Sequence, residues 1–225
     1  MELLERSPRE SGHDYALRTL KENIIHLTLE PGSQISENEL AAEMGLSRTP
    51  VRAALADLAQ VNIIEIHPQK KSLVSLIDYA MVEEAQFMRN QLETAVLDVV
   101  CERASEQDFI RLQENLRLQN FYLDHFNPQL LMELDDQFHR LLFELAGKPM
   151  VYQLMNTISI HFDRVRSMAL VSVKDLKIVQ DHEAIVEALL QRDAAKAKEI
   201  MAVHLNRYKV DAATIRERYP QYVKD

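Results

Sequence analysis

The sequence predicts a mostly α-helical chain: a small N-terminal unit of three helices and a β-hairpin, then an all-α antiparallel helical bundle. Three observations carry this expectation. Four glycines and seven prolines in 225 residues leave too few turns for a sandwich or barrel. Apolar residues recur at helical spacing through most of the chain. One short stretch, from Ile63 to Leu76, instead places β-branched residues on both sides of a polar turn.

The elements follow in order. Residues 1–13 are polar and charged, with Pro8, Ser11 and Gly12, and read as a loose arm. From Tyr15, the residues Leu17, Leu20, Ile24, Ile25 and Leu27 trace a helix that ends at Pro31-Gly32. Ser36-Glu37-Asn38-Glu39 has the pattern of a capping box and opens a second helix, stopped by Gly45. Ser47 caps a third helix running to about Gln60. Pro50 is tolerated in its first turn, where N–H groups have no intrahelical partner. Ile63, Ile64 and Ile66, then His67-Pro68-Gln69-Lys70-Lys71, then Leu73, Val74 and Leu76 read as the one convincing β element, a hairpin. Six helices are expected beyond it, at 78–104, 106–126, 128–147, 149–170, 174–192 and 194–217. The chain thus divides into an arm (1–13), a first domain (14–77) and a helical domain (78–225).

Composition narrows the function classes. Hydrophobic residues make up 47% and charged ones 27%, enough to build a core. One cysteine, Cys101, excludes a disulfide framework and a cysteine-based zinc finger. No apolar run approaches the roughly 20 residues that span a bilayer, and the first residues do not resemble a signal peptide, so a cytoplasmic protein without a membrane partner is expected. The formal net charge of −9 argues, taken alone, against nucleic-acid binding.

Residues 36–60 nevertheless supply what a helix-turn-helix requires. Ala41 is small where two helices cross, Gly45 makes positive φ cheap at the turn, and Val51 packs the second helix back onto the first. Ser47, Arg48, Thr49 and Arg52 then lie at the N-terminal end of the helix that enters a major groove. Arg48 and Arg52 can fork onto guanine or grip a phosphate, while Ser47, Thr49 and the helix N-terminus suit phosphate oxygens. A following hairpin tipped with Gln69, Lys70 and Lys71 has the layout of a wing. Spacing alone is equally compatible with an ordinary helical hairpin bearing solvated arginines. Residues 1–76 carry 8 Lys and Arg against 11 Asp and Glu, so the cations act by placement and not by excess.

The stretch Leu29-Glu30-Pro31-Gly32-Ser33, Glu39-Leu40-Ala41 and Gly45-Leu46-Ser47-Arg48-Thr49-Pro50-Val51-Arg52, with Ala54, Leu55 and Leu58, resembles the winged-helix domain of GntR-family transcription regulators. The resemblance implies that Arg48 and Arg52 are the main DNA contacts, that Thr49 helps, and that the Gln69–Lys71 tip visits the minor groove. Three positions depart from the family pattern: Asn62 and Lys71 stand where glycine is usual, and Ala53 where glutamate is usual.

In the second domain the histidines carry the chemistry. Asp135 and His139 are four apart on an apolar helix face, His182 lies on the stripe Ile178, Ile185, Leu189, and His204 on the stripe Ala197, Met201, Tyr208. Each alone reads as a hydrogen-bonded core residue. Together, three histidines and a carboxylate on three helices point to a first-row metal, zinc first, with nickel, manganese or iron as alternatives. Asp135-x-x-Phe138-His139, Asp181-His182-x-x-Ile185, Arg192-Asp193 and Met201-x-x-His204-Leu205 resemble the FCD effector-binding domain of FadR-type regulators, and six helices resemble its VanR-like subgroup. The resemblance implies a divalent cation on Asp135, His139, His182 and His204, with room for water or a carboxylate ligand. Arg89, Arg164 and Arg166 read either as contacts to an anionic effector or as surface ion pairs, with the resemblance favouring Arg89. His161 reads as a core or pocket-lining residue. His13, His26, His67 and His125 read as surface or loop residues, and the nine methionines with Cys101 as gap-filling core.

The expected function is a ligand-responsive homodimeric transcription regulator without catalytic residues, repression being the expected mode. It would read a pseudo-palindromic double-stranded operator and respond to a small carboxylate metabolite. The alternative is a metal-dependent hydrolase or oxygenase on a helical bundle. Val186 stands where an HExxH motif beginning at His182 needs its second histidine, and no pair of Glu-x-x-His helices exists for a di-iron site. A purely structural metal is the third reading.

Overall fold

A computed structural model describes residues 1–67, 71–172 and 177–224. Helix α1 (Gly12–Ile25) begins three residues before the apolar pattern does, because the Ser11 side chain accepts from Asp14 N and caps it. Its Ala16, Leu20 and Ile24 are fully buried against α3 (Arg48–Gln60), whose Val51, Ala54 and Leu58 form the other side of the contact. Helix α2 (Glu37–Glu43) starts at Ser36, but no side-chain cap bond forms there, so the capping box written in the sequence is not made. Glu39 instead faces Lys71 at 3.4 Å. Gly45, at φ +64°, turns the chain from α2 into α3. Asn62, at φ +58°, takes up the left-handed position after α3 that an asparagine tolerates.

The hairpin strands are β2 (Ile64–Glu65) and β3 (Ser72–Val74), paired antiparallel with Ile64 opposite Val74. A third strand, β1 (Gln34–Ile35), pairs on the other side of β3 with Gln34 opposite Leu73, giving the order β1-β3-β2. The hairpin is therefore not the whole β structure. Two residues are too short to leave a period-2 signature in sequence. The segment 1–10 lies along α1: Glu2 and Asn23 exchange backbone–side-chain hydrogen bonds of 2.7 and 2.8 Å, and Arg18 pairs with Glu10.

The bundle comprises α4 (Tyr79–Arg103), α5 (Glu106–Asp124), α6 (Pro128–Leu145), α7 (Pro149–Ile158), α8 (Ile160–Ser172), α9 (Lys177–Leu190), α10 (Ala194–Leu205) and α11 (Tyr208–Arg218). Two of the six expected helices are each divided. At Ser159 the hydroxyl donates to Met155 O at 3.0 Å, and at Asn206 the side-chain amide donates to Ala202 O at 2.7 Å. Such bonds to the carbonyl four residues back compete with the helical ladder and bend it without any glycine or proline. The other boundaries follow local chemistry: Asn127 caps α6 ahead of Pro128, Ser105 and Asp108 form a reciprocal capping box on α5, and Arg192 takes φ +59° between α9 and α10.

Leu97, Leu112, Phe138, Leu142, Leu189 and Met201 centre the bundle's core. A second core under the three-stranded sheet holds Leu20, Ile24, Leu55 and Ile63, and the bundle contributes Met132 and Ile160 to it. The connection between the halves is clasped by the C-terminal segment: Ile77 N donates to Tyr222 O at 2.8 Å and Lys224 N to Ile77 O at 2.9 Å. No helix among the described residues is long and apolar enough to cross a membrane.

Candidate metal centre and DNA-reading face

Ser47, Arg48, Thr49 and Arg52 are all exposed at the N-terminal end of α3. The Ser47 hydroxyl makes no cap bond, so the orphan N–H groups of the first turn and the helix dipole face outward together, an arrangement that suits a phosphate. Arg48 lies 3.5 Å from Glu37, and Lys71 lies 3.4 Å from Glu39. Both acids sit in the first turn of α2, so Arg48 and the base of the wing flank one helix end. Arg52 forms no ion pair with the described residues. Gln69 and Lys70 lie outside the described residues.

In the bundle, α6, α9 and α10 bring Asp135, His139, His182 and His204 together, all buried, with one ligand atom of each within 4.8 Å of the others. The three Nε2 atoms converge: His204 Nε2 is 3.2 Å from both His182 Nε2 and His139 Nε2. Asp135 closes the group, with Oδ2 3.7 Å from His139 Nε2 and Oδ1 3.6 Å from His182 Nε2. The opposite ring nitrogens all face acceptors. His182 Nδ1 meets Gln119 Oε1 at 2.8 Å, His204 Nδ1 meets Asp181 Oδ2 at 3.5 Å, and His139 Nδ1 lies against Glu93 Oε2. The hydrogen bond to Gln119 places the His182 proton on Nδ1, and the carboxylates beside the Nδ1 atoms of His139 and His204 favour the same tautomer, which turns Nε2 lone pairs inward.

Three lone pairs aimed at one point repel unless a cation lies among them. Tetrahedral zinc–nitrogen bonds of about 2.0–2.1 Å place nitrogens about 3.3–3.4 Å apart, close to the spacing found. Burial disfavours the charged forms of His182 and His204, so both sit below the usual histidine range, in the neutral state a metal ligand needs. Burial alone would raise the Asp135 carboxyl. The Arg166 guanidinium beside it outweighs that and holds it well below the usual carboxylate range.

Arg89 and Arg166 adjoin this group, and both are already paired. Arg89 Nε donates to Glu93 Oε1 at 2.7 Å while the guanidinium stacks over Phe162, 4.8 Å from the ring centre. Arg166 Nη1 donates to Asp135 Oδ2 at 2.9 Å, and Nη2 to Asp136. Arg164 points elsewhere: it is fully buried and donates to Ser75 O at 2.7 Å, in the segment joining the halves. It is neither beside the Asp135–His139–His182–His204 group nor on the surface. The three acceptors behind the histidines were not singled out from sequence. Glu93 had a usable signal, its i,i+4 spacing from Arg89, whereas Gln119 and Asp181 reach the group only through tertiary packing.

Comparison with known proteins identifies two families along the chain. Residues 84–207 match the family described as FCD domain, and residues 15–74 match bacterial regulatory proteins, gntR family. The HTH-type transcriptional repressor RspR of Escherichia coli is 30% identical over 212 residues, covering 94% of this chain and 93% of that protein. An HTH-type transcriptional regulator in an unstable DNA locus of Streptomyces ambofaciens is 33% identical over 220 residues, covering 97% of this chain and 92% of its own length. Among solved structures, E. coli McbR/YncC superposes with a TM-score of 0.79 at 19% identity, covering 93% of this chain and 99% of that one.

Proposed function

The chain belongs to the gntR family of bacterial regulatory proteins and carries an FCD domain, so it is a transcription regulator and not an enzyme; from that premise we propose a homodimeric, cytoplasmic repressor whose bundle binds a divalent metal and a small organic acid. Residues 14–77 form its DNA-binding domain and 78–225 its metal-binding, effector and dimerisation domain. Asp135, His139, His182 and His204 hold the cation, zinc before nickel, manganese or iron. The observation that carries this is the convergence of three Nε2 atoms, each ring with an acceptor beside its opposite nitrogen. When bound, the cation supplies a Lewis-acidic centre to which an effector carboxylate can attach. Arg166 orients Asp135, and Glu93, Gln119 and Asp181 orient the three imidazoles. Arg89 and Arg166 border the site, each with its charge already met by a carboxylate, so the effector's anionic group is held chiefly by the metal.

On the DNA side, Arg48 and Arg52 read base edges, Ser47, Thr49 and the start of α3 hold phosphate, and Gln69, Lys70 and Lys71 engage the adjacent groove, with two copies on a pseudo-palindromic operator. The test is metal analysis of purified wild type and His139→Ala, followed by thermal-shift screening of small carboxylic acids on both. Wild type should hold one zinc per chain and gain stability with particular acids, and the variant should do neither. A wild type that binds no divalent metal would overturn the metal reading. Acids that stabilise both proteins alike would overturn the metal-held effector.

A further inference from the structure

Helix α8 reaches both halves of the molecule through opposite faces. At 3.6 residues per turn, positions 161 and 164 lie on one side and positions 163 and 166 on the other. The second side serves the metal ligands, through Arg166 on Asp135. The first side serves the DNA-reading half. His161 Nε2 lies 2.6 Å from the carbonyl of Val61, the residue that ends α3. Arg164 Nη1 donates to Ser75 O at 2.7 Å, just beyond β3, and Nη2 reaches His161 Nδ1 at 3.3 Å. Ser75 N in turn donates to Ile63 O at 2.9 Å. The exit of the recognition helix and the exit of the wing are thus tied to each other and to two side chains of α8. Ile160, immediately before, is buried in the core of the DNA-reading half.

The chemistry at Arg164 is costly in a way that packing does not require. The residue is 0% exposed, its hydrogen-bond partners are neutral, and no carboxylate among the described residues pairs with it. Burial alone pulls its pKa down to about 10. Methionine would fill similar space without burying a charge. What the position gains from arginine is a rigid fork of donors, one on Ser75 O and one on His161. Burial likewise takes His161 down to about 4, despite the opposing hydrogen bond to Val61, so the ring is neutral at physiological pH. Its roles are then fixed: Nε2–H donates to Val61 O, and Nδ1 accepts from Arg164.

We propose that His161 and Arg164 are positioning residues for DNA recognition: they fasten the ends of α3 and β3 to α8, whose far face holds Asp135 through Arg166, so that occupancy at the metal ligands sets the placement of the recognition helix. The proposal rests on the reading of the metal ligands and of α3 given above. It supplies that reading with a discrete path between the two sites, roles assigned to named atoms.

The test uses the full-length chain, Zn²⁺ as the metal and a duplex selected by the wild-type protein from a random-sequence pool. The variants are Arg164→Met, His161→Leu and His161→Gln, the last retaining an N–H donor for Val61 O. Zn²⁺ affinity by chelator competition, duplex affinity with and without Zn²⁺, and amide hydrogen exchange over residues 58–64 are measured for each. Arg164→Met and His161→Leu should bind Zn²⁺ within about twofold of wild type. They should bind the duplex at least fivefold more weakly, exchange faster at 58–64 and lose the Zn²⁺ dependence of duplex affinity, while His161→Gln stays near wild type. If Arg164→Met does not fold, Arg164→Lys carries the same readouts. Wild-type duplex affinity and exchange in the variants would overturn the proposal, as would parallel losses of Zn²⁺ and duplex binding, which mark a merely structural role. A wild-type duplex affinity indifferent to Zn²⁺ would overturn the link through Arg166. Failure of wild type to bind Zn²⁺ at all overturns the metal reading, and duplex affinity and exchange then decide the positioning role.

Discussion

Glu93→Gln isolates what the environment of the proposed metal ligands contributes. Glu93 is 0% exposed, and its two oxygens face two donors, Arg89 Nε at 2.7 Å and His139 Nδ1. Burial would raise its pKa, but the Arg89 guanidinium and the hydrogen bonds from Arg89 and His139 outweigh that and hold it down to about 2. A carboxylate can accept from both donors at once. An amide has one acceptor oxygen and an NH₂ group, so one donor must face another donor. If His139 is left facing the NH₂ group, its tautomer is no longer fixed, and loss of such an orienting partner lowers metal affinity about 10–100-fold, or about 1.4–2.7 kcal/mol. If Arg89 is left, a buried guanidinium loses its counter-ion, at roughly 3–5 kcal/mol of folding stability. Either way the variant should fail at least one of two assays, chelator competition for Zn²⁺ or urea unfolding of the metal-free protein. Arg89→Met/Glu93→Met removes both buried charges together and should recover much of the stability but not the Zn²⁺ affinity, because His139 still lacks its acceptor. Glu93→Gln with wild-type stability and wild-type Zn²⁺ affinity would refute the assignment of Glu93 as the orienter of His139.

Other consequences can be checked on the same protein. Arg48→Ala and Arg52→Ala should each weaken selected-duplex binding by about 1–3 kcal/mol and relax base discrimination if they read bases; an unchanged affinity for both would remove α3 from the interface. Gly45→Ala should cost about 1–2 kcal/mol in urea unfolding, because a Cβ there meets nothing within 4 Å and the whole penalty is the φ of +64°; an unchanged midpoint would show that the turn can rearrange. His161 has a native pKa of about 4 against an ordinary 6.5, so the native state disfavours its protonated form. Its contribution is therefore complete above pH 6.5 and is lost as pH falls toward 4, on the order of 3 kcal/mol in all. The charged groups acting on it are Arg164 and Asp78. His161→Gln should flatten this part of the acid limb of a stability–pH curve, while the share due to His182 and His204 in metal-free protein stays; curves of identical slope would contradict the assignment.

Legibility in the sequence followed locality. The helix-turn-helix can be read because its signals are short-range and chemically distinct: Gly45 at positive φ, Ser47 at the helix start, Pro50 in the first turn. The four metal-ligand candidates can be read because helical periodicity places each on an inward face before any fold is known. The orienting acceptor Gln119 cannot, since it meets His182 across 63 residues and no spacing rule joins α5 to α9. Strand β1 escapes because two residues carry no alternation. The breaks at Ser159 and Asn206 escape because a side chain bonding the carbonyl four residues back looks, in sequence, like any polar residue in a helix. Arg164 and Arg166 resist assignment for a different reason. Residues 160–168 are buried on every face, so α8 has no polar side on which an arginine could be placed in advance.

The net charge of −9, which argued against DNA, takes on a different meaning at the reading face. Glu37 and Glu39, side by side at the start of α2, each neutralise one cation that the interface would use, Arg48 at 3.5 Å and Lys71 at 3.4 Å. Exposed pairs of this kind contribute at most about 1 kcal/mol, so a phosphate or a guanine edge in the right place displaces the acid at little cost. A backbone that merely drifts past gains less, because part of the positive field is already cancelled. Non-specific affinity scales with the number of phosphates neutralised, and with few uncompensated cations that number is small. Sequence-specific contacts suffer less, since they draw on directed hydrogen bonds as well as on charge. On the proposed reading face, these two pairs would lower the background against which an operator is found. It leaves specific affinity to depend on how accurately α3 is placed, which is the quantity the contacts of His161 and Arg164 with the end of that helix would govern.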